Sequence, residues 1–272
     1  IHKMEDGRLK LEFDNSTQRI FHRTIITTGG SPNGRGLHYL ERLGHKIEAP
    51  IPSLFTFNIK DRAFCDLMGT VVDPVVVAIP GTKLRAQGAL LVTHWGVSGP
   101  AILKLSSYAA RTLAENDYKA PLAISWTDEL PRHEVESCLL KFQAANPRKQ
   151  VATLHPFSLP SRLWLYILSK LGIDAVKPWA EIGRKTLNRM IETLVNDQYT
   201  IAGKGAFREE FVTCGGVSLC SVNSKTLESK VCPNLFFAGE VLDIDAITGG
   251  FNLQAAWTTG FIAGKSASLC EL

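Results

Sequence analysis

The sequence has no C-x-x-C pair and no H-x-x-x-H pair, and its seven histidines are scattered. The six cysteines, Cys65, Cys138, Cys214, Cys220, Cys232 and Cys270, stand apart from one another. A zinc-ribbon site, a dithiol redox centre and a two-histidine metal site on one helix face are therefore not expected, and the metal expectation is none. Isolated thiols fit a reducing compartment, so a cytoplasmic location is expected. Long apolar runs are missing too: stretches such as Val75 to Ile79 are strand length, whereas a helix needs roughly 20 apolar residues to cross a bilayer. No charged-then-apolar leader follows Ile1, so the chain reads as one begun part-way through, with no membrane partner. Charge blocks are absent as well. Charged residues make up 21% and the formal net charge is +4, which suits mild attraction to phosphate esters and predicts no nucleic-acid partner. The densest basic group, Arg184, Lys185 and Arg189, falls on helical periodicity and reads as a solvated face.

What is present is apolar material in two periodicities. With 272 residues and 45% hydrophobic side chains, the chain can bury a large core in one to three domains. Arg8 to Phe13 and Arg19 to Thr28 predict a hairpin about the turn formers Asp14, Asn15 and Ser16. The second strand runs into Gly29 and Gly30, and after a loop Leu37, Leu40 and Leu43 mark a short helix closed by Gly44. Pro50 and Pro52 punctuate the entry to a β-rich module with strands over Leu54 to Lys60, Val71 to Ile79, Ala89 to Thr93 and Leu122 to Trp126, and a helix over Gly99 to Leu113. From about Pro131 to Asn196 the period becomes helical, as in Leu163, Ile167 and Leu171 or Leu187, Ile191 and Leu194. Strands return near Tyr199, and Phe211 to Thr213 lead into Gly215-Gly216. The tail reads as a buried strand, a glycine-rich loop and one long helix.

That tail is the most informative segment. Leu235-Phe236-Phe237-Ala238-Gly239-Glu240 leads through Val241-Leu242-Asp243 to Thr248-Gly249-Gly250-Phe251-Asn252, a strand-to-helix crossing with carboxylates and a double glycine. Ligands of α/β sheets collect at the carboxyl ends of strands, beside helix amino termini. The two glycines would let main chain approach a flat ligand. The helix beginning near Asn252 would turn unpaired N–H groups and its positive end towards it. A reduced flavin, negative near N1, suits that environment. A plain tight turn is the alternative, and Glu240, Asp243 and Asn252 weigh against it.

Four segments then stand in register: Thr27-Thr28-Gly29-Gly30, Thr93-His94-Trp95-Gly96-Val97-Ser98-Gly99-Pro100, Val212-Thr213-Cys214-Gly215-Gly216-Val217, and Gly239-Glu240 through Asn252-Leu253-Gln254. Together they resemble the bacterial NAD(P)/FAD-dependent oxidoreductases of the aminoacetone-oxidase-like flavoprotein family, from about Gly7 to Gly264. The resemblance implies an α/β fold whose FAD-binding Rossmann-like domain is split by insertions and incomplete: residues 1–48 and 205–272. A small β-barrel-like domain, residues 49–130 and 197–204, and a helical cap, residues 131–196, would be inserted in it. It also implies that Thr28, Gly29 and Gly30 pass near the dinucleotide, and that Gly239, Glu240 and Asp243 lie near the ribityl-pyrophosphate. Gly249, Gly250, Phe251 and Asn252 would border the isoalloxazine ring. The chain departs from the family pattern in having Thr27 where alanine is usual and Phe251 where tyrosine is common. The family's opening strand with G-x-G-x-x-G does not occur in it.

Other motifs carry less. Gly260 to Ser266 is one residue short of a P-loop and falls late in a helix. Gly96 to Pro100 is no nucleophile elbow, because Pro100 replaces a glycine, and Ser98 reads as a helix cap or loop residue. His94 is the one candidate acid or hydrogen-bond donor, with a loop-bonded histidine as the equal alternative. Cys214 reads as a buried structural thiol, and Asp243 and Asp245 as ribityl-binding or solvated carboxylates. The expected activity is hydride transfer between a reduced nicotinamide or an organic substrate and FAD, on a small molecule. A flavoprotein remnant or binding module without FAD is one alternative, and an RNA-modifying flavoprotein another.

Overall fold

The computed structural model describes residues 1–31, 34–205 and 212–269. Pro32 and Asn33 of the expected loop, Phe211 at the head of an expected strand, and Cys270 lie outside them. The architecture is mixed α/β with a closed barrel of six strands, and the chain divides into two compact units, Ile1–Leu54 with Arg208–Leu272, and Phe55–Phe207.

The first unit opens with a three-stranded antiparallel sheet, β1 (His2–Lys3), β2 (Leu9–Glu12) and β3 (Gln18–Phe21). The predicted hairpin is there, closed by Thr17 N–H donating to Asn15 Oδ1 at 3.0 Å, an Asx turn. Its second strand, however, ends early. β4 (Thr24–Ile26) is a separate strand, because its partner runs parallel to it while β3 pairs antiparallel with β2. One strand read from its apolar pattern thus serves two sheets. A short helix, α1 (His38–Arg42), follows with Leu40 buried, then β5 (Ile47–Ser53). Pro50 and Pro52 lie inside β5 rather than marking a boundary, which a strand with a neighbour on one side only tolerates.

The second unit is built on β6 (Phe57–Ile59), a helical turn α2 (Arg62–Cys65), β7 (Val71–Ala78), β8 (Arg85–Thr93) and β9 (Gly96–Ser98). Helices α3 (Pro100–Tyr108) and α4 (Ala110–Glu115) come next, separated at Ala109 where one helix is expected, and then β10 (Ala120–Ser125). Ser98 proves to be the last residue of β9, and Gly99 occupies the cap position of α3 without a side-chain bond. Three helices, α5 (Arg132–Ala145), α6 (Ser161–Lys170) and α7 (Arg184–Val195), precede β11 (Asp197–Lys204), which closes the barrel in the order β10-β11-β6-β9-β8-β7. Alternate residues such as Leu122 and Ile124, or Tyr199 and Ile201, fill it, the period-two signature of strands with one buried face. Trp126, Trp164 and Trp179 belong to the same buried cluster as the barrel side chains, so helices and barrel share one core.

The chain then returns to the first unit. β12 (Val212–Val217) pairs antiparallel with β5. Gly215 and Gly216 lie within this strand, not beyond it; a Cβ on Gly216 would come 2.5 Å from the Val241 carbonyl oxygen, so only glycine permits that approach. β13 (Leu235–Phe237) pairs parallel with β4, and α8 (Phe251–Leu269) ends the fold. Among the described residues no helix is long and apolar enough to cross a membrane, and no three His, Cys, Asp or Glu side chains gather as a metal site.

Candidate functional site

The parallel pair of β4 and β13 brings two loops to the same carboxyl end. In register, Phe236 faces Ile25 and Phe237 faces Ile26, and Ala238 N–H donates to the Ile26 carbonyl at 3.0 Å. Thr28, Gly29 and Gly30 leave β4 from there, and Gly239 and Glu240 leave β13 in a 3-10 turn, Gly239–Val241. The two loops interlock at Glu240. Its Oε1 accepts from Thr213 N–H at 2.7 Å, and a Cβ on Gly30 would lie 2.8 Å from Thr213 Cβ and 3.2 Å from Glu240 Cδ. Gly30 is thus a packing glycine, whereas Gly29, at φ 76°, has open space where its side chain would be.

The loop from Asp243 to Gly250 is pinned at successive points. Asp243 N–H donates to the Val217 carbonyl at 2.9 Å, and Ser53 Oγ donates to Asp245 Oδ2 at 2.8 Å. Asn252 clamps Ala246 from both sides: its Oδ1 accepts from Ala246 N–H and its Nδ2 donates to the Ala246 carbonyl, each at 2.9 Å. The Asn252 side chain is therefore spent on loop geometry. Held this way, the loop delivers Gly249 and Gly250, at φ 120° and 87°, directly into α8, and a Cβ on Gly250 would meet nothing within 4 Å. In the first turn of such a helix the leading N–H groups have no intrahelical acceptor and carry the positive end of the dipole. Phe251 at this turn is 54% exposed.

Two threonines hold this end together. Thr213 anchors Glu240, and Thr259 Oγ1 on α8 accepts from Gly239 N–H at 2.9 Å. Thr213 stands in the Val212–Val217 segment singled out in the sequence, but nothing local announces its bond to Glu240, and Thr259 stands in no motif. Thr28 also lines a cleft of about 920 Å³ with Ile26, Tyr39 and Leu43 and residues of the β1–β3 sheet. Burial pushes the Tyr39 hydroxyl above its ordinary range, and its hydrogen bond to Thr28 works against that rise. His94 belongs to the other unit, exposed in the turn between β8 and β9, with its ring edge-on to Trp95 at 4.4 Å. Cys214 is buried.

Open, positive-φ glycines, Gly29 and Gly250, stand in the two loops, and a helix amino terminus adjoins the second. On this ground the glycine-lined end fits the ring portion of a flavin.

A family described as the HI0933-like protein barrel and H2TH domain matches residues 51–212. The chain belongs to the HI0933-like family. Among curated relatives of this HI0933-like chain is the ribosomal RNA dihydrouridine synthase of Haemophilus influenzae, 30% identical over 262 residues, 93% of the chain and 62% of the relative. The protein of that name in Escherichia coli is 31% identical over 260 residues, 90% of the chain and 62% of the relative. A 3-dehydro-bile acid delta(4,6)-reductase of Clostridium scindens is 28% identical over 258 residues, again 90% and 62%. The chain thus spans 62% of the length of each of these relatives.

Proposed function

We propose that this HI0933-like chain forms part of an FAD-dependent reductase acting on a carbon–carbon double bond conjugated with a carbonyl group. The observation that carries the reading is the pinned loop that presents Gly249 and Gly250 ahead of α8. The names of the relatives support the reaction class. Dihydrouridine is uridine with its 5,6 bond reduced, and a 3-dehydro bile acid with 4,6 unsaturation is an extended enone. A reduced flavin, when bound, would supply the hydride for the carbon β to the carbonyl, and the carbanion at the α carbon would take its proton from solvent. In this reading the main-chain amides opening α8 would stabilise negative charge on the flavin, and Gly29 and Gly250 would leave room for it. Asn252 and Glu240 keep the two loops in place. A split Rossmann-like FAD domain around a barrel and helical cap, kinship with aminoacetone-oxidase-like enzymes, and a reduced nicotinamide as hydride donor are finer parts of the same proposal.

The test is titration of the purified chain with FAD, followed by flavin fluorescence and the visible absorption band. Saturable quenching that Gly250→Val abolishes is expected. A wild-type chain that leaves the flavin spectrum untouched, or a Gly250→Val chain that binds equally well, would sink the proposal.

A further inference from the structure

The whole-chain charge of +4 conceals an uneven distribution. Residues 131–196 hold ten Lys and Arg against five Asp and Glu, while the rest of the chain holds 20 against 21. All of the excess positive charge therefore lies in the helical segment. Part of it is neutralised locally: Arg132 and Arg184 pair with Glu136, and Lys170 pairs with Asp197.

Four of the other cations gather at one end of the helices, whereas Arg162 is held by the carbonyls of Asp66 and Met68. Residues 147–152 and 175–180 run antiparallel there, with Trp179 N–H donating to the Lys149 carbonyl and Val151 N–H to the Lys177 carbonyl, both at 2.9 Å. An isolated bridge between Gln150 and Pro178 lies between these bonds. This ladder fixes Arg148, Lys149 and Lys177 within a few residues of one another. Gln143, near the end of α5, donates to the carbonyls of Trp179 and Ile182, which brings the start of α7 and its exposed Lys185 to the same end. Among the described residues none of Arg148, Lys149, Lys177 and Lys185 takes part in an ion pair. Asp174 and Glu181 are the acidic side chains in the same stretch, and Asp174 Oδ1 is engaged by Val176 N–H at 3.1 Å.

We propose that this basic end of the helical segment, centred on Arg148, Lys149, Lys177 and Lys185, docks the phosphate backbone of RNA that carries the reducible base. The inference rests on the reductase reading above and deepens it, choosing a nucleobase over a steroid-like enone. Clustered cations with little carboxylate opposition are what counterion release requires, and main-chain hydrogen bonds place these without reliance on long flexible side chains. Among the described residues Val176, at 60%, is the only large apolar side chain exposed at this ladder, too little apolar area for insertion into a lipid surface.

The experiment measures binding of a fluorescein-labelled oligouridylate to the purified chain by anisotropy across a salt series. The variants are R148E/K149E/K177E and a charge-matched control, K83E/K119E/K225E, whose sites are exposed and lie outside the segment. About tenfold or greater weakening is expected for the first triple variant. With three phosphates no longer neutralised, its log–log salt slope should fall by about 2, at roughly 0.7 per phosphate on a single strand. The control should bind like the wild type. No RNA binding by the wild type, equal weakening by both triple variants, or tighter association with phosphatidylglycerol vesicles than with RNA would overturn the proposal. FAD titration of the same samples, with far-UV circular dichroism as the folding check, separates the two readings. RNA binding without flavin binding fails the reductase reading alone; flavin binding without RNA binding fails this one alone.

Discussion

Replacing Asp197 by alanine removes three bonded partners from one carboxylate that is 3% exposed. Its Oδ2 accepts from Trp126 Nε1 at 3.0 Å and from the Tyr199 hydroxyl at 2.7 Å, and its Oδ1 meets Lys170 Nζ at 2.6 Å. The variant leaves the Trp126 indole N–H in the shared core without an acceptor, at about 1–3 kcal/mol, and the Tyr199 hydroxyl with the Tyr166 hydroxyl in place of a carboxylate, at about 1 kcal/mol. Breaking a fully buried ion pair by removing one member costs about 3–5 kcal/mol. Lys170 is 30% exposed on its side chain, so it can turn to water, and its share falls to about 1 kcal/mol. The expected loss for Asp197→Ala is therefore about 3–5 kcal/mol, read from the urea midpoint of the transition that reports the barrel and helices. Asp197→Asn keeps one acceptor oxygen and should lose about half as much. Lys170→Met alone should cost about 1–2 kcal/mol, since a buried carboxylate is left with two neutral donors. Joined to Asp197→Ala it should recover only the lysine share, because the indole remains unsatisfied and the phenol has lost its carboxylate. The reasoning is refuted if Asp197→Ala costs less than about 1 kcal/mol, or if the double variant regains wild-type stability.

Other outcomes follow from the site and its surroundings. Asn252→Ala deletes both bonds to Ala246 and should cost about 1–2 kcal/mol; amide exchange should quicken in the 243–250 loop, while exchange within the barrel stays unchanged. Gly30→Ala should cost about 1–3 kcal/mol by overpacking against Thr213 and Glu240, whereas Gly29→Ala should cost only about 1 kcal/mol of backbone strain at φ 76°; comparable urea midpoints for the two would contradict this. Burial holds His45 below its ordinary range, against the opposing bond to the Leu40 carbonyl. Its contribution is therefore complete above pH about 6.5 and lost on acidification, as the unfolded chain takes up a proton that the folded one refuses. His45→Gln should flatten the acid limb of a stability–pH curve. Cys220 is exposed, and hydrogen bonding from Ser218 and Ser221 lowers its thiol, so it should react fastest with iodoacetamide among the described cysteines, with buried Cys214 and Cys232 slowest by peptide mapping.

How far the sequence could be read depended on the range of the forces involved. The tail was legible because an apolar strand, paired glycines and a small-residue helix each leave a local imprint, and β13, the loop and α8 lie where the pattern places them. Barrel strands such as β7 and β10 showed through their alternation for the same reason. β5 was hidden because prolines look like punctuation until the strand is known to have one neighbour only. The break between β3 and β4 was hidden because periodicity records which side chains are buried, not the direction of the partner strand. The supports of the candidate site were beyond local reading altogether. Thr213 meets Glu240 across 27 positions, and Ser53 meets Asp245 across 192. The basic end of the helices was obscured by averaging charge over the whole chain.

The placement of α5, α6 and α7 between β10 and β11, neighbours in a ring that also needs β6, bears on how the protein is made. When β10 leaves the ribosome its pairing edge and that of β6 have no mate. Their mate, β11, ends about 80 residues later at Lys204, roughly 4–16 s at ordinary rates of synthesis. For that interval two open edges are available to any passing strand. Slowed translation across the helical codons should therefore lower the yield of native protein through aggregation, without altering the stability of the molecules that mature.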